Sequence, residues 1–211
     1  MGVSWVLVCP VADGKTPNQA LDEFCRQLVQ QGFEKDPTPF TLKCETYSSH
    51  PQLPLQKAFH AICDSDRPAS CFLIAEKDPL NLNITAERSL MAFIGKLDKA
   101  YGAKKSSIIE VQGFSFLYRD FIVRPGVLSH GGSARGLTVD VELRACPVAI
   151  NALELMREFV NSFMPLPVEA VPAFFNRPGI ATQIFSVMDT MLQYLEVFAH
   201  VKRTNMMPLK T

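Results

Sequence analysis

The chain has 211 residues, enough to bury a sizeable core, and its 47% hydrophobic and 20% charged residues are ordinary for a globular protein. Its 21 basic residues equal its 21 acidic residues, so the formal net charge is zero. Composition argues against a dedicated nucleic-acid-binding protein, which needs a basic surface, and against a membrane-spanning protein, which needs an apolar run of about 20 residues.

The six cysteines indicate a reducing compartment, the cytosol or the nucleus. None forms a C-x-x-C motif, and most lie in apolar runs where a free thiol acts as a small core residue. A zinc site made of His60, Cys63 and Cys71 is the alternative, but this spacing fits no closed four-ligand pattern. We therefore predict no metal and no cofactor.

The chain opens with a strand and a helix. Alternating apolar residues from Val3 to Cys9 predict a buried strand. Thr16 and Gln19 form a capping box, with Pro17 at the first helical position, and Gly32 ends the predicted helix.

Three strands and a second helix follow. Strands are predicted at Phe40–Tyr47, Lys57–Cys63 and Ala69–Glu76. Thr85 is the predicted cap of a helix that Gly102 ends.

The centre of the chain predicts extended structure. A strand at Ser106–Val111 leads into Val111–Ala145, which predicts two long strands. Gly131-Gly132 adopts positive φ easily, so the chain should reverse there or just after. In the second strand Asp140 and Glu142 alternate with valines, which predicts one apolar face and one charged face.

The last third of the chain predicts helices. One begins at Asn151 and extends to Phe163, and another runs from about Thr182 to Val201. Between them, four prolines predict a loop at Pro165–Gly179. Its unusually apolar residues either pack on the core or meet a partner, and the sequence leaves both alternatives open.

These elements predict an α+β fold, with an antiparallel sheet curled into a β-barrel-like core and flanked by helices. We expect a single domain over residues 1–211, with the sheet at about 3–147 and the C-terminal helices at about 150–203.

Asp140 and Glu142 carry the one enzymatic hypothesis. On a strand they point to the same side, where they could hold a divalent metal and a polyphosphate, as in triphosphate-tunnel phosphohydrolases. No second acidic pair and no basic strand accompany them. A solvated or cross-strand-paired charged face is therefore the favoured interpretation, and no catalytic residue is predicted.

Three residues are candidates for binding a partner. Arg135 follows the glycine turn and offers a planar, multi-donor side chain to an interface carboxylate, although it could equally be a solvent-facing turn residue. Phe174 and Phe175 are the aromatic residues of the proline-framed loop.

Several segments together resemble one known family. They are D-F-I-V-R-P-G-V at Asp120–Val127, G-G-S-A-R-G-L-T-V-D-V-E at Gly131–Glu142, the opening M-G-V-S-W-V-L-V-C-P-V-A-D-G-K, C-E-T-Y at Cys44–Tyr47, S-C-F at Ser70–Phe72 and D-T-M-L-Q-Y-L-E-V-F at Asp189–Phe198. In this order they resemble subunit 20 of the eukaryotic Mediator complex.

The resemblance implies a non-enzymatic structural subunit of the Mediator head module. Such a subunit is a nuclear coactivator component that bridges transcription regulators and RNA polymerase II through protein–protein contacts. The implied partners are Mediator subunit 18, as a heterodimer, and subunit 8, with communication to the TATA-binding protein. No direct contact with nucleic acid or with a membrane is implied.

Overall fold

The computed structural model describes residues 2–50, 52, 58–75, 82–97, 100–103 and 107–204. Within these residues the strands are β1 (Val3–Cys9), β2 (Glu34–Ser49), β3 (Ala58–Asp64), β4 (Ser70–Ala75), β5 (Asn83–Glu87), β6 (Tyr101–Ala103), β7 (Ile109–Tyr118), β8 (Phe121–His130) and β9 (Ser133–Leu143). The helices are α1 (Pro17–Gln30), α2 (Ser89–Ile94), α3 (Leu153–Asn161) and α4 (Val187–Thr204). Short 3₁₀ segments lie at Ala149–Asn151 and Ala173–Asn176.

The strands form one nine-stranded sheet in the order β1-β9-β8-β7-β2-β3-β4-β5, with β6 paired to β2. The pairs β1/β9, β2/β3, β2/β6, β3/β4 and β4/β5 are antiparallel. The sheet has two end strands, β1 and β5, and so it is not closed. This confirms the predicted α+β fold with a barrel-like antiparallel sheet and flanking helices.

The chain divides into two compact units. The first comprises the described residues of Met1–Pro39, Gly113–Leu128 and Arg135–Thr211, and the second those of Phe40–Gln112 and Ser129–Ala134. Each unit has its own apolar cluster, around Trp5 in the first and around Tyr47, Ala61 and Ile94 in the second. The single domain expected from the sequence stays a prediction.

The first helix forms as its sequence predicts. The Thr16 side chain accepts a hydrogen bond from the Gln19 backbone N–H, and the Gln19 side chain accepts one from the Thr16 backbone N–H. Pro17 is the first helical residue, and Gly32 ends the run with φ +88°. These contacts are local in sequence, which is why the sequence alone locates the helix.

The predicted first central strand is instead two strands, β7 and β8, joined by a tight turn at Arg119-Asp120. Arg119 adopts φ +54°, a left-handed conformation that is uncommon for a residue other than glycine. Of the strand predicted at Ser106–Val111, the part from Ile109 is the beginning of β7 and not a separate element, while Ser106 lies outside the described residues. The Gly131-Gly132 reversal is confirmed, with φ +57° and +83°.

The second predicted helix is largely wrong. Thr85 does not cap it, because Thr85 lies in β5 and pairs with Phe72 of β4. The helix is only the short α2, which ends at Gly95 and not at Gly102. Pairing along the edge of β4 satisfies the backbone of this segment and overrides its local helical pattern.

Two element boundaries also differ from expectation. β2 begins at Glu34, six residues before Phe40, and runs through Pro37 and Pro39. The register with β3 begins at Leu42, so these prolines remove no donor from that ladder. The last helix begins at Val187 and not at Thr182, since Ser186 exchanges hydrogen bonds with Asp189 at its start.

The backbones of the neighbouring strands β7 and β8 approach each other closely at Gly113. A Cβ placed on Gly113 would lie 1.9 Å from the carbonyl oxygen of Pro125 and 2.7 Å from the Cα of Gly126. Only glycine leaves room for this crossing.

Candidate functional site

The charged face of β9 is buried. Asp140, Glu142 and Arg124 of β8 are 4%, 6% and 8% exposed. The prediction of a solvated face is therefore wrong, whereas its alternative, a charged face paired across strands, is confirmed.

One arginine holds both carboxylates. Arg124 donates from Nη1 to Asp140 Oδ2 at 3.3 Å and from Nη2 to Glu142 Oε2 at 3.0 Å. The planar guanidinium can engage two carboxylates at once because its donors are fixed in a fork. Burial alone would lower the pKa of Arg124, but the negative charges of Asp140 and Glu142 raise it above its ordinary value. The cation is therefore permanent.

Helix α4 covers this cluster. The Tyr194 hydroxyl donates to Asp140 Oδ2 at 3.5 Å, and Tyr194 is itself buried. From the N-terminal side, the backbone N–H of Gly2 donates to Glu142 Oε1 at 3.4 Å. The cluster thus joins β8, β9, α4 and the segment that enters β1.

Gln193, next to Tyr194 on α4, hydrogen-bonds the outer edge of β1, the end strand of the sheet. Gln193 donates from Nε2 to the carbonyl oxygen of Ser4 at 2.8 Å, and its Oε1 accepts from the N–H of Val6 at 3.1 Å. One side-chain amide therefore takes the place that a peptide group of a further strand would occupy. It satisfies two backbone groups that would otherwise lie buried without partners.

This arrangement does not suit a metal–polyphosphate site. The oxygens that Asp140 and Glu142 would offer to a cation already face the guanidinium of Arg124, and α4 lies over them. Within the described residues no group of three or more histidine, cysteine, aspartate or glutamate side chains could hold a metal ion. The phosphohydrolase alternative is not favoured.

The zinc hypothesis fails on geometry. Successive residues of a strand point to opposite faces, so His60 and Cys63 of β3 lie on different sides of the sheet. His60 instead contacts the Thr46 hydroxyl, with 3.1 Å between Nδ1 and Oγ1. The cysteines are free thiols, as their sequence context predicts.

The predicted partner-binding residues lie in different environments. Arg135 is exposed in the first residues of β9. Phe174 and Phe175 are buried, with the Phe175 ring 6.1 Å from that of Trp5 and 6.0 Å from that of Phe185. Of the two alternatives for their loop, packing on the core is the one observed. A partner-binding role for the three residues stays a prediction.

The sequence interpretation missed Arg124, Gln193 and Tyr194. Arg124 carried a usable signal, because a lone cation inside the apolar run D-F-I-V-R-P-G-V-L requires a buried counter-charge. Without the turn at Arg119-Asp120, its strand could not be aligned with that of Asp140. Gln193 and Tyr194 gave no such signal, since their partners lie more than 50 positions away.

Two exposed isoleucines lie in neighbouring segments before α4. Ile184 is 75% exposed and Ile150 is 58% exposed. Their segments are joined by the antiparallel bridge between Val148 and Ile184 and by a hydrogen bond from Ile150 N to Ala181 O at 2.8 Å. The predicted last helix had included Ile184, whereas the structure places it in this two-segment ladder before α4.

Replacing Arg124 with methionine should lower the free energy of unfolding by about 3–5 kcal/mol, because two buried carboxylates would lose their counter-charge. Urea or guanidinium titration of the purified chain measures this. Arg157→Met is a matched control that breaks an exposed pair with Glu154 and should change little. Adding Asp140→Asn and Glu142→Gln to Arg124→Met should restore part of the loss. An Arg124→Met chain as stable as the parent would contradict the interpretation.

Replacing Gln193 with leucine should lower the free energy of unfolding by about 2 kcal/mol or more, since Ser4 O and Val6 N would be buried without partners. Hydrogen exchange should show faster exchange of the Val6 amide in the same variant. Gln183→Leu, at an exposed position, is the control and should leave both measurements unchanged. Equal protection of Val6 in the variant and the parent would refute the capping role.

The chain resembles known proteins over nearly its whole length. A family model described as the TATA-binding related factor (TRF) of subunit 20 of the Mediator complex matches residues 1–199. "Mediator of RNA polymerase II transcription subunit 20" of Homo sapiens is 33% identical over 214 residues, which cover 99% of this chain and 98% of that relative. The protein of the same name from Anopheles gambiae is 32% identical over 217 residues, with the same coverage.

A solved chain of the Schizosaccharomyces pombe Mediator head module matches with a TM-score of 0.44 and 12% identity, over 76% of this chain and 94% of that one. That likeness is too weak to support a conclusion. The family match and the identity to curated relatives are sufficient on their own, because both span the sheet and the helices. The chain therefore belongs to the family of subunit 20 of the Mediator complex.

Proposed function

We propose that this chain is a structural subunit of the Mediator head module, a nuclear coactivator that connects transcription regulators with RNA polymerase II. The family match over residues 1–199 is the observation that carries the proposal. The chain acts by protein–protein contact, as a one-to-one complex with Mediator subunit 18 and, through that pair, with subunit 8. Communication with the TATA-binding protein occurs within the assembly.

The distribution of polar and apolar groups supports a scaffold. The carboxylates of Asp140 and Glu142 both pair with Arg124, and Tyr194 of α4 covers them, so they are not presented to a substrate. The surface, in contrast, exposes Ile150 and Ile184 in neighbouring segments. Neighbouring exposed apolar side chains are a feature of surfaces that contact other proteins, whereas isolated ones are ordinary.

Co-expression with Mediator subunit 18 should yield a soluble heterodimer, and the isolated chain should self-associate. Light scattering after size exclusion measures both. Arg135→Glu should weaken the heterodimer if Arg135 meets an interface carboxylate, because it reverses the charge at that contact. Arg144→Glu, a charge reversal at another exposed arginine, is the matched control. A chain that stays monomeric and does not bind subunit 18 would contradict the proposal that subunit 18 is its partner.

We further propose that the chain has no phosphohydrolase activity. Incubation with tripolyphosphate or a nucleoside triphosphate and magnesium or manganese should release no phosphate above background. The reason is that the carboxylates of Asp140 and Glu142 are occupied by Arg124. Turnover that disappears in Asp140→Ala or Glu142→Ala, both of which remove a carboxylate, would reinstate the enzymatic alternative. Circular dichroism of these variants checks that they remain folded.

A further inference from the structure

Two cysteines of the second unit lie directly opposite each other on adjacent strands. Cys63 of β3 is the register partner of Cys71 of β4 in an antiparallel pair. Both are free thiols, and their side chains project from the same face of the sheet. No other cysteine pair has such a register within the strand pairings described.

The hydrogen-bonding pattern shows which kind of cross-strand pair they form. The N–H of Ala75 donates at 3.1 Å to the carbonyl oxygen of Leu82, the residue directly before β5. Peptide groups alternate sides along a strand, so those of Cys71 also point toward β5 and away from β3. Cys63 and Cys71 are therefore a non-hydrogen-bonded pair, in which Cα atoms are typically about 4.5 Å apart. Disulfides require Cα separations of about 4.4–6.8 Å, and the spacing typical of a non-hydrogen-bonded pair falls within this range.

The surroundings determine how the two thiols react. Cys63 is 8% exposed and Cys71 is fully buried, so an oxidant meets Cys63 first. Burial raises the pKa of both thiols, and the positive charge of Arg88 acts in the opposite direction. The Cys71 thiol also donates to the carbonyl oxygen of Glu87 at 3.3 Å. Only the thiolate attacks a disulfide, so the raised pKa makes the reaction slow and makes its rate increase with pH.

We propose that Cys63 and Cys71 form a reversible cross-strand disulfide when the protein meets a low-molecular-weight disulfide such as oxidised glutathione. The Cys63 thiolate attacks one sulfur of the oxidant and expels one glutathione thiolate. The Cys71 thiolate then attacks the Cys63 sulfur of the mixed disulfide and expels the second. Two protein thiols lose two protons and two electrons, and the oxidant is reduced to two molecules of glutathione.

A disulfide between Cys63 and Cys71 would change the contacts of β4 with both of its neighbouring strands. It adds a covalent link between β3 and β4 across the turn that connects them. It also removes the hydrogen bond from Cys71 to Glu87 O, one of the contacts between β4 and the end of β5. Oxidation should therefore protect the β3/β4 hairpin and loosen the end strand β5.

The test is intact mass spectrometry of the full chain after exposure to excess oxidised glutathione, without reduction. We expect the loss of two hydrogen atoms, full reversal by dithiothreitol, and a faster reaction at higher pH. Cleavage on the N-terminal side of aspartate separates the two cysteines at Asp64 and Asp66, and added trypsin cleaves after Lys57, which separates Cys63 from Cys44. The crosslinked peptides of the double digest therefore identify the pair. Trypsin alone is not sufficient because Pro68 protects the bond after Arg67.

Variants make the result specific. Cys71→Ser should retain glutathione on Cys63 and lose no hydrogen pair, whereas Cys146→Ser, at a half-buried thiol of the other unit, should react as the parent does. The proposal is overturned if the parent mass does not change, if the crosslink joins any other cysteines, or if Cys71→Ser still loses two hydrogens. The measurement on the parent chain alone decides the matter if a variant fails to fold.

Discussion

The guanidinium of Arg124, held between Asp140 and Glu142, is the interaction on which the first unit depends. A buried ionic cluster gains little net stability, because removing three charges from water costs about as much as their attraction returns. Its effect is on specificity. Each carboxylate accepts one arm of the guanidinium, so sliding β8 against β9 by one residue would leave a buried charge without its partner. The cluster thereby fixes the register of the strands on which α4 rests.

Helix α4 completes the arrangement with hydrogen bonds and not only with apolar packing. Tyr194 binds the cluster, and Gln193 binds two backbone groups of β1. The end strand of a sheet has unpaired backbone groups that can pair with another chain. On β1, the side-chain amide of Gln193 already binds two of these groups. Strand addition at Ser4 and Val6 would require α4 to leave. Contacts with other Mediator subunits are therefore better sought on exposed side chains such as Arg135 and Ile184 than on the edge of β1.

The sequence predicted features whose causes are local and missed those whose causes are distant. The capping box at Thr16 and the reversal at Gly131-Gly132 each need only a few adjacent residues, and both are confirmed. The turn at Arg119 was missed because an arginine at positive φ has no turn signature. Thr85 was assigned to a helix because its pairing with β4 is invisible in its own segment. The charged face of β9 was located correctly, but the distant partner that buries it was not.

The burial of Phe174 and Phe175 changes the physical basis for expecting a partner. Apolar loop residues imply an external partner only if the chain cannot cover them itself, and here Trp5 and Phe185 provide that cover. Apolar surface that stays exposed lies elsewhere in this unit, with Ile184 and Ile150 among its most exposed residues. A chain that covers Phe174 and Phe175 itself, and pairs the buried Asp140 and Glu142 with Arg124, can fold before it assembles. Partner binding then adds contacts to a structure that is already formed, which suits a subunit that positions other proteins.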